Sequence, residues 1–287
     1  MGMRSLSSSC LLILCISSIF CQKGIEIRPF FRIFAANSQR FMNILVCISS
    51  VPDTTSKISF TENDTKLDPN GITWIIGPYD DYALARAVEL KEAAGTGNIT
   101  VLHVGGADSE AVIRKALAIG ADEAVRIDSP ARDGFFVAAQ IAAYAKDKNY
   151  DLILMGRESI DYNSGIVHGL VAEHLGIPAV SPVMKLEISG REAIMEREIE
   201  GGKETVSAAL PLVLGCQEPI AEWKIPSMRG IMSARTKPLN VIPASDAVSG
   251  LNFQKYELPP ARTSCKMLAD SQVAELVSLL KSEAKVI

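Results

Sequence analysis

Residues 151–178 read DLILMGRESIDYNSGIVHGLVAEHLGIP, and the order of signals in this stretch decides the fold. Residues 151–155 are a short apolar run ended by Gly156, the pattern of a strand buried on both faces. The polar loop RESIDYNSG follows. Residues 166–175 (IVHGLVAEHL) then carry apolar groups at helical spacing until Gly176-Ile177-Pro178 stops them. A buried strand leading through a short loop into a helix is half of a β-α-β unit. In an open parallel sheet, ligands bind outside the carboxyl ends of the strands, near the topological switch. A helix start at that place offers free N–H groups and a partial positive charge to an anion such as a phosphate. Asp161, Asn163, Ser164 and Gly165 are expected to cap the helix and to let backbone approach an anion. Taken alone, the same string reads more readily as an ordinary strand-to-helix loop with an Asn or Ser cap.

The rhythm repeats upstream. Residues 43–48 (NILVCI), 99–104 (ITVLHV) and 124–127 (AVRI) read as buried strands, and 79–94, 108–119 and 134–148 as helices. Asp80 and Asp81 lie in the first turn of one helix, where carboxylates favour the dipole. Asp108 is the expected N-cap of the next, and Gly120 its C′ residue. A second loop, Gly77-Pro78-Tyr79-Asp80, enters a helix at the same sheet edge as Gly156 and the strand end at Cys47 and Ile48. Convergence of these loops points to a nucleotide site. Downstream, 183–189, 193–199 and 204–209 alternate apolar and polar residues around Ser189-Gly190 and Gly201-Gly202, an antiparallel meander. Residues 211–215 read as one more buried strand. From 217 to 269 the signals are weak, and a last helix covers 270–285. The expected fold is α/β, a doubly wound and mostly parallel sheet with a small meander and an extended C-terminal arm. Its divisions are a leader (1–41), an α/β domain (42–216) and the arm (217–287).

The 287 residues are 48% hydrophobic and 22% charged, which excludes disorder, collagen and coiled coil as the main state. The leader holds five basic residues against Glu26, leaving 24 basic and 32 acidic residues in 42–287, a balance of −8. An acidic body argues against non-specific nucleic-acid binding. The positive mean hydropathy comes partly from Leu11–Phe20, ten residues where a bilayer span needs about 20. The leader fits a secretory signal, an organelle presequence or an upstream start ahead of Met42. Cys47, Cys216 and Cys265, odd in number and widely spaced, suggest a reducing compartment without a disulfide framework.

The common catalytic strings are absent: there is no G-x-x-x-x-G-K-[ST], G-x-G-x-x-G, G-x-S-x-G or C-x-x-C. His103 sits inside an apolar strand and reads as a core residue. His168 and His174, six apart, face about 240° away from each other on a helix, so no metal site is assigned. No catalytic residue is assigned either.

Six segments in order resemble the beta subunit of electron transfer flavoproteins over nearly all of 42–287. They are ILVCISSVPDT (44–54), PYDDYALARAVELKE (78–92), ALAIGADEAVRID (116–128), the opening stretch 151–178, EREIEGGKE (196–204) and IPSMRGIMSARTKPL (225–239). The resemblance implies an adenine-nucleotide-binding, HUP-like fold and a heterodimer with an alpha subunit that carries most contacts to a shared FAD. It implies AMP bound by this subunit, or a second FAD in that cleft in electron-bifurcating members. Matched residue by residue, the nucleotide contacts fall on Cys47, Gly77, Pro78, Tyr79, Asp80 and Val104, and on Gly156, Arg157, Asp161, Asn163, Ser164 and Gly165. The family's dehydrogenase-anchoring leucine corresponds to Met228, with Ile231 in the same loop, and Glu198 to an acid that pairs with the alpha subunit.

This sequence departs from the family pattern in three places. Ser49-Ser50 stand where a basic residue is usual, DYNSGIV (161–167) replaces D-G-D-T-(A/G)-Q-V, and Gly77 replaces an asparagine. These changes put AMP against a second FAD in question, while phosphate binding by backbone N–H groups survives them. The expected role is an electron carrier between acyl-CoA or other dehydrogenases and a quinone reductase, without stable membrane insertion. Its place is the cytoplasm of a bacterium or the mitochondrial matrix of a eukaryote. The alternatives are a stand-alone adenine-nucleotide-binding module of universal-stress-protein type, or a nucleotidyl-transferring enzyme. The meander and the arm speak against the first. The lack of H-x-G-H and S-G-G-x-D-S strings speaks against the second.

Overall fold

The computed structural model describes residues 41–261 and 264–287. The expectations for residues 1–40 lie outside them. Strands β1 (Asn43–Cys47), β2 (Ser50–Pro52), β3 (Phe60–Thr61), β4 (Lys66–Leu67) and β5 (Trp74–Ile76) lead into helix α1 (Pro78–Ala94). Then come β6 (Asn98–Gly105), α2 (Glu110–Ile119), β7 (Glu123–Asp128), α3 (Gly134–Ala145), β8 (Leu152–Gly156) and α4 (Val167–Leu175). The chain continues as β9 (Ala179–Ser189), β10 (Glu192–Ile199), β11 (Gly202–Ala209), β12 (Leu212–Cys216), α5 (Met228–Ala234), β13 (Leu239–Pro243) and α6 (Val273–Ser282).

Two compact units result. The larger contains the described residues up to Lys57 together with Asn70–Asn252. Nine strands form its sheet in the order β11-β10-β9-β12-β8-β1-β6-β7-β13. β1 pairs in parallel with β6 on one side and with β8 on the other, so the chain reverses its direction of travel across the sheet at β1. β12 runs parallel to β8 and to β9, and β10 is antiparallel to both β9 and β11. The meander is therefore an extension of the main sheet. The small antiparallel pair β2–β5 lies beside this sheet in sequence.

The apolar runs are buried on both faces, as continuous hydrophobic strands require. Ile44, Val46 and Ile48 share one core with Ala83, Leu84, Val88, Val112 and Ile113 of α1 and α2. Leu45 and Cys47 share the other with Phe136, Ile141, Val171 and Ala172 of α3 and α4. Alternation along β1 thus feeds two helical layers, which is the doubly wound architecture.

Two local expectations, both about helix caps, are corrected. Asp108 is not an N-cap: α2 starts after Ser109, and Asp108 lies in a preceding turn of 3-10 helix, Ala107–Ser109. α4 starts after Ile166 with no side-chain cap, so Asp161, Asn163, Ser164 and Gly165 do not cap it. Residues 217–252 return to the larger unit, where β13 pairs in parallel with β7. Lys237 anchors that return by donating to the carbonyls of Leu117 (2.9 Å) and Ala121 (2.5 Å) at the end of α2.

The smaller unit contains Ile58–Pro69 and Phe253–Ile287. Within it β3 pairs with β4, Tyr256 stacks on Phe60 at 5.1 Å between ring centroids, and the Tyr256 N–H donates to Asp64 O at 2.8 Å.

Candidate functional site

The switch at β1 sets the carboxyl ends of β1 and β8 side by side, the place where open parallel sheets bind ligands, and one side chain ties the surrounding elements together. Asp80, in the first turn of α1, is 7% exposed. Its Oδ2 accepts from the Ser49 N–H (2.8 Å) and the Ser49 hydroxyl (2.5 Å), and its Oδ1 from the Gly156 N–H (2.7 Å). The backbone beyond β1, the start of α1 and the end of β8 are thus fixed by a single carboxylate. Burial pushes that carboxyl up to about 6, against the opposing pull of its three donors.

Glycines make this approach possible. A Cβ on Gly156 would lie 2.7 Å from Tyr79 Cβ and 2.8 Å from Asp80 Oδ1, and one on Gly77 would collide with Ser49 Oγ and Asp80 Oδ2. Gly77 N–H donates to Ser49 O at 3.1 Å, and Pro78 opens α1 where its missing N–H leaves no bond unmade. Cys47 and Cys216 end β1 and β12, the two neighbours of β8 in the sheet. Burial first, and the charge of Asp80 second, push both thiols up, so they are packing groups rather than nucleophiles.

The structure brings Cys47, Gly77, Pro78, Tyr79, Asp80 and Gly156 to one place. Val104 lies beside them in β6, its side chain in the core. His103, also in β6, is buried and its Nδ1 bonds Ile48 O at 2.9 Å, a core role as its strand predicts. Arg157 lays its guanidinium 5.6 Å from the Tyr79 ring centroid and donates to Gln217 Oε1 at 2.7 Å. The loop beyond turns on Asn163, whose φ of 50° is left-handed, and Asp161 Oδ1 accepts from the Tyr162 N–H at 3.0 Å and from the Ser159 hydroxyl. Gly165 is exposed, and the first N–H groups of α4 stand without a side-chain cap beside it. Uncapped donors at a helix start are what an anion would satisfy.

Glu198 stands apart on β10, exposed, and accepts from Gln217 Nε2 at 2.7 Å. Met228 and Ile231 lie on α5, with Met228 77% exposed. α5 sits close on α2, because a Cβ on Gly230 would collide with Ala118 O. Sequence reading missed Ser49 as a partner of Asp80, Gln217, and the pair Trp223–Asp81, in which Nε1 donates to Oδ2 at 3.3 Å. None carries a local signal, since the partners are 19 to 142 residues apart. Among the described residues, no group of three or more His, Cys, Asp or Glu is placed to hold a metal. Nor is any helix long and apolar enough to cross a membrane.

The model of the electron transfer flavoprotein domain matches residues 64–247. The electron transfer flavoprotein subunit beta of Bacillus subtilis is 40% identical over 260 residues, covering 86% of this chain and all of that protein. The chain belongs to the electron transfer flavoprotein beta-subunit family. A second member, from Syntrophomonas wolfei, is 34% identical over 249 residues, covering 85% of this chain and 98% of its own length. The caffeyl-CoA reductase-Etf complex subunit CarD of Acetobacterium woodii is 31% identical over 265 residues, with coverage of 85% and 98%. Electron transfer flavoprotein beta subunits are electron carriers, and the expected α/β fold and family both stand.

Proposed function

We propose that this chain pairs with an alpha subunit as an FAD-containing heterodimer and holds an AMP at the carboxyl ends of β1 and β8. The observation that supports this reading most is the meeting of Ser49, Asp80 and Gly156 at the sheet's switch point, with the uncapped start of α4 beside it. Asp80 already occupies the N–H groups at the strand ends, so a phosphate is directed to the Asn163–Val167 backbone. An internal anion at the strand ends also disfavours a second phosphate there, which supports a monophosphate over a second FAD.

The chain's own residues bind and orient. Cys47 and Val104 supply apolar walls, Tyr79 and Arg157 border the opening, and Gly156 to Gly165 supply backbone. The shared FAD supplies the electron-accepting and electron-donating chemistry. Met228 and Ile231 form the surface on which an acyl-CoA or other dehydrogenase docks, since an exposed methionine adapts to an apolar pocket. Electrons leave to a quinone reductase, and Glu198 meets the alpha subunit. The residues beyond 252 wrap that subunit. In a bacterium the carrier works in the cytoplasm, and in a eukaryote in the mitochondrial matrix.

The test is to co-express the chain with its alpha subunit, denature the purified pair and identify the released nucleotides. One FAD and one AMP per pair support the reading. Two FAD assign the site to a bifurcating member, and a homodimer that releases ATP without flavin overturns the family role.

A further inference from the structure

From Ala221 to Pro226 the chain is neither helix nor strand, and among the described residues this stretch makes no hydrogen bond from main chain to main chain. Ser227 then caps α5 by accepting from the Gly230 N–H at 3.1 Å, and Met228 opens that helix. Two side-chain bonds hold the stretch, both to α1. Lys224 Nζ reaches the exposed Glu92 at 3.3 Å, and a surface ion pair of this kind contributes little. Trp223 Nε1 donates to Asp81 Oδ2 at 3.3 Å, and Asp81 is buried in the first turn of α1. The indole bond is thus the buried tether of a segment whose backbone has none.

Stability alone does not account for Asp81. Lys115 Nζ of α2 stands 3.7 Å from the same Oδ2, while Oδ1 is buried without a partner among the described residues. Burial pushes this carboxyl up, against the pull of Lys115 and the indole. A buried carboxylate with one oxygen unsatisfied is a poorer filler than an apolar side chain of like volume. What it supplies instead is direction, an acceptor aimed at Trp223 from a helix packed on the sheet. We infer that Asp81 is a positioning residue that, through Trp223, fixes the segment leading to Met228, so that the methionine is presented to the donor dehydrogenase in one orientation. A segment ordered before docking spares the loss of chain freedom at the encounter. The inference rests on the docking role proposed for Met228.

The experiment uses the purified FAD-containing heterodimer as electron acceptor for an acyl-CoA dehydrogenase reduced by its acyl-CoA, and separates the KM for the heterodimer from the limiting rate. Asp81→Ala should raise KM about tenfold and leave the limiting rate within about twofold of wild type. Asp81→Asn keeps an acceptor for the indole and should stay within about twofold of the wild-type KM. In a Met228→Ala background, Asp81→Ala should add less than about twofold, because a residue that acts through the methionine has nothing left to position. Trp223→Phe keeps an apolar ring and removes the donor, so it should reproduce the rise and the non-additivity if the alanine variant fails to fold. A wild-type KM in Asp81→Ala or Trp223→Phe overturns the inference, and so does a rise that multiplies in full with that of Met228→Ala. An asparagine variant as impaired as the alanine one overturns it too, since its indole would still have an acceptor. Met228→Ala separates the two levels. An unchanged KM there removes the docking reading and the positioning role with it, whereas a raised KM there beside an unchanged KM in Asp81→Ala removes the positioning role alone.

Discussion

Replacing Asp80 by asparagine should change the protein's stability with opposite signs in acid and at neutral pH. The carboxyl is raised from an ordinary 3.8 to about 6 by burial. Between those values the folded state holds a proton that the unfolded chain has released, so this group's contribution to stability falls as pH rises from about 4 to about 6. A rise from 3.8 to about 6 corresponds to about 3 kcal/mol, lost in full by pH 7. Asparagine does not titrate and is spared that loss. It has a cost of its own. With its carbonyl toward the Gly156 N–H and its NH2 toward the Ser49 hydroxyl, the Ser49 N–H is left without an acceptor, at about 1–2 kcal/mol. Asp80→Asn should therefore be less stable than wild type by about 1–2 kcal/mol at pH 4, and more stable by a similar amount at pH 7. Urea unfolding at both values, followed by the fluorescence of Trp74 and Trp223, measures the difference, and the titration of other carboxylates cancels in it. A variant equally destabilised at both pH values would refute the argument that Asp80 is held as a buried, unfavourably desolvated charge. A carboxylate kept at such a loss is the kind of group found where binding, rather than stability, sets the residue.

Gly156→Ala should destabilise the protein by about 1–3 kcal/mol, because the new methyl meets Tyr79 Cβ, Asp80 Oδ1 and the Asp80 backbone. The AMP recovered from the purified pair should fall with it. Met228→Ala should leave unfolding within about 0.5 kcal/mol of wild type, since the side chain is exposed. Electron acceptance from the donor dehydrogenase, followed by stopped flow, should slow about tenfold with nucleotide content intact, as for the loss of an apolar anchor. Trp223→Phe removes the indole donor to Asp81, whose Oδ1 already lacks a partner, and should cost about 1–2 kcal/mol in urea unfolding.

The parallel sheet and its helices were legible because periodicity is local: DLILM and NILVC read as buried strands wherever they pair. The position proposed for the site followed from that pattern, since the carboxyl ends of β1 and β8 meet at the reversal of strand order. What the pattern did not disclose was how Asp80 is used. A first-turn carboxylate reads as a dipole partner, yet here it turns back to Ser49 and Gly156 because two glycines leave room for it. β13 was missed because LNVIP is short and bracketed by prolines. It becomes a strand only by pairing with β7, more than a hundred residues earlier. The missing cap on α4 has the opposite cause. Polar residues were present, but the Ser159–Ser164 bridge and the left-handed Asn163 place them in a turn before the helix begins.

The central claim is that an adenine nucleotide binds at the carboxyl ends of β1 and β8. Photolabelling the purified heterodimer with 8-azido-AMP and mapping the modified peptides tests it most directly. Labelling confined to residues 44–54, 77–82 and 151–170, and abolished by excess AMP, is the predicted result. Protectable labelling on β9–β11 or α5, with those three segments unmodified, would contradict the account.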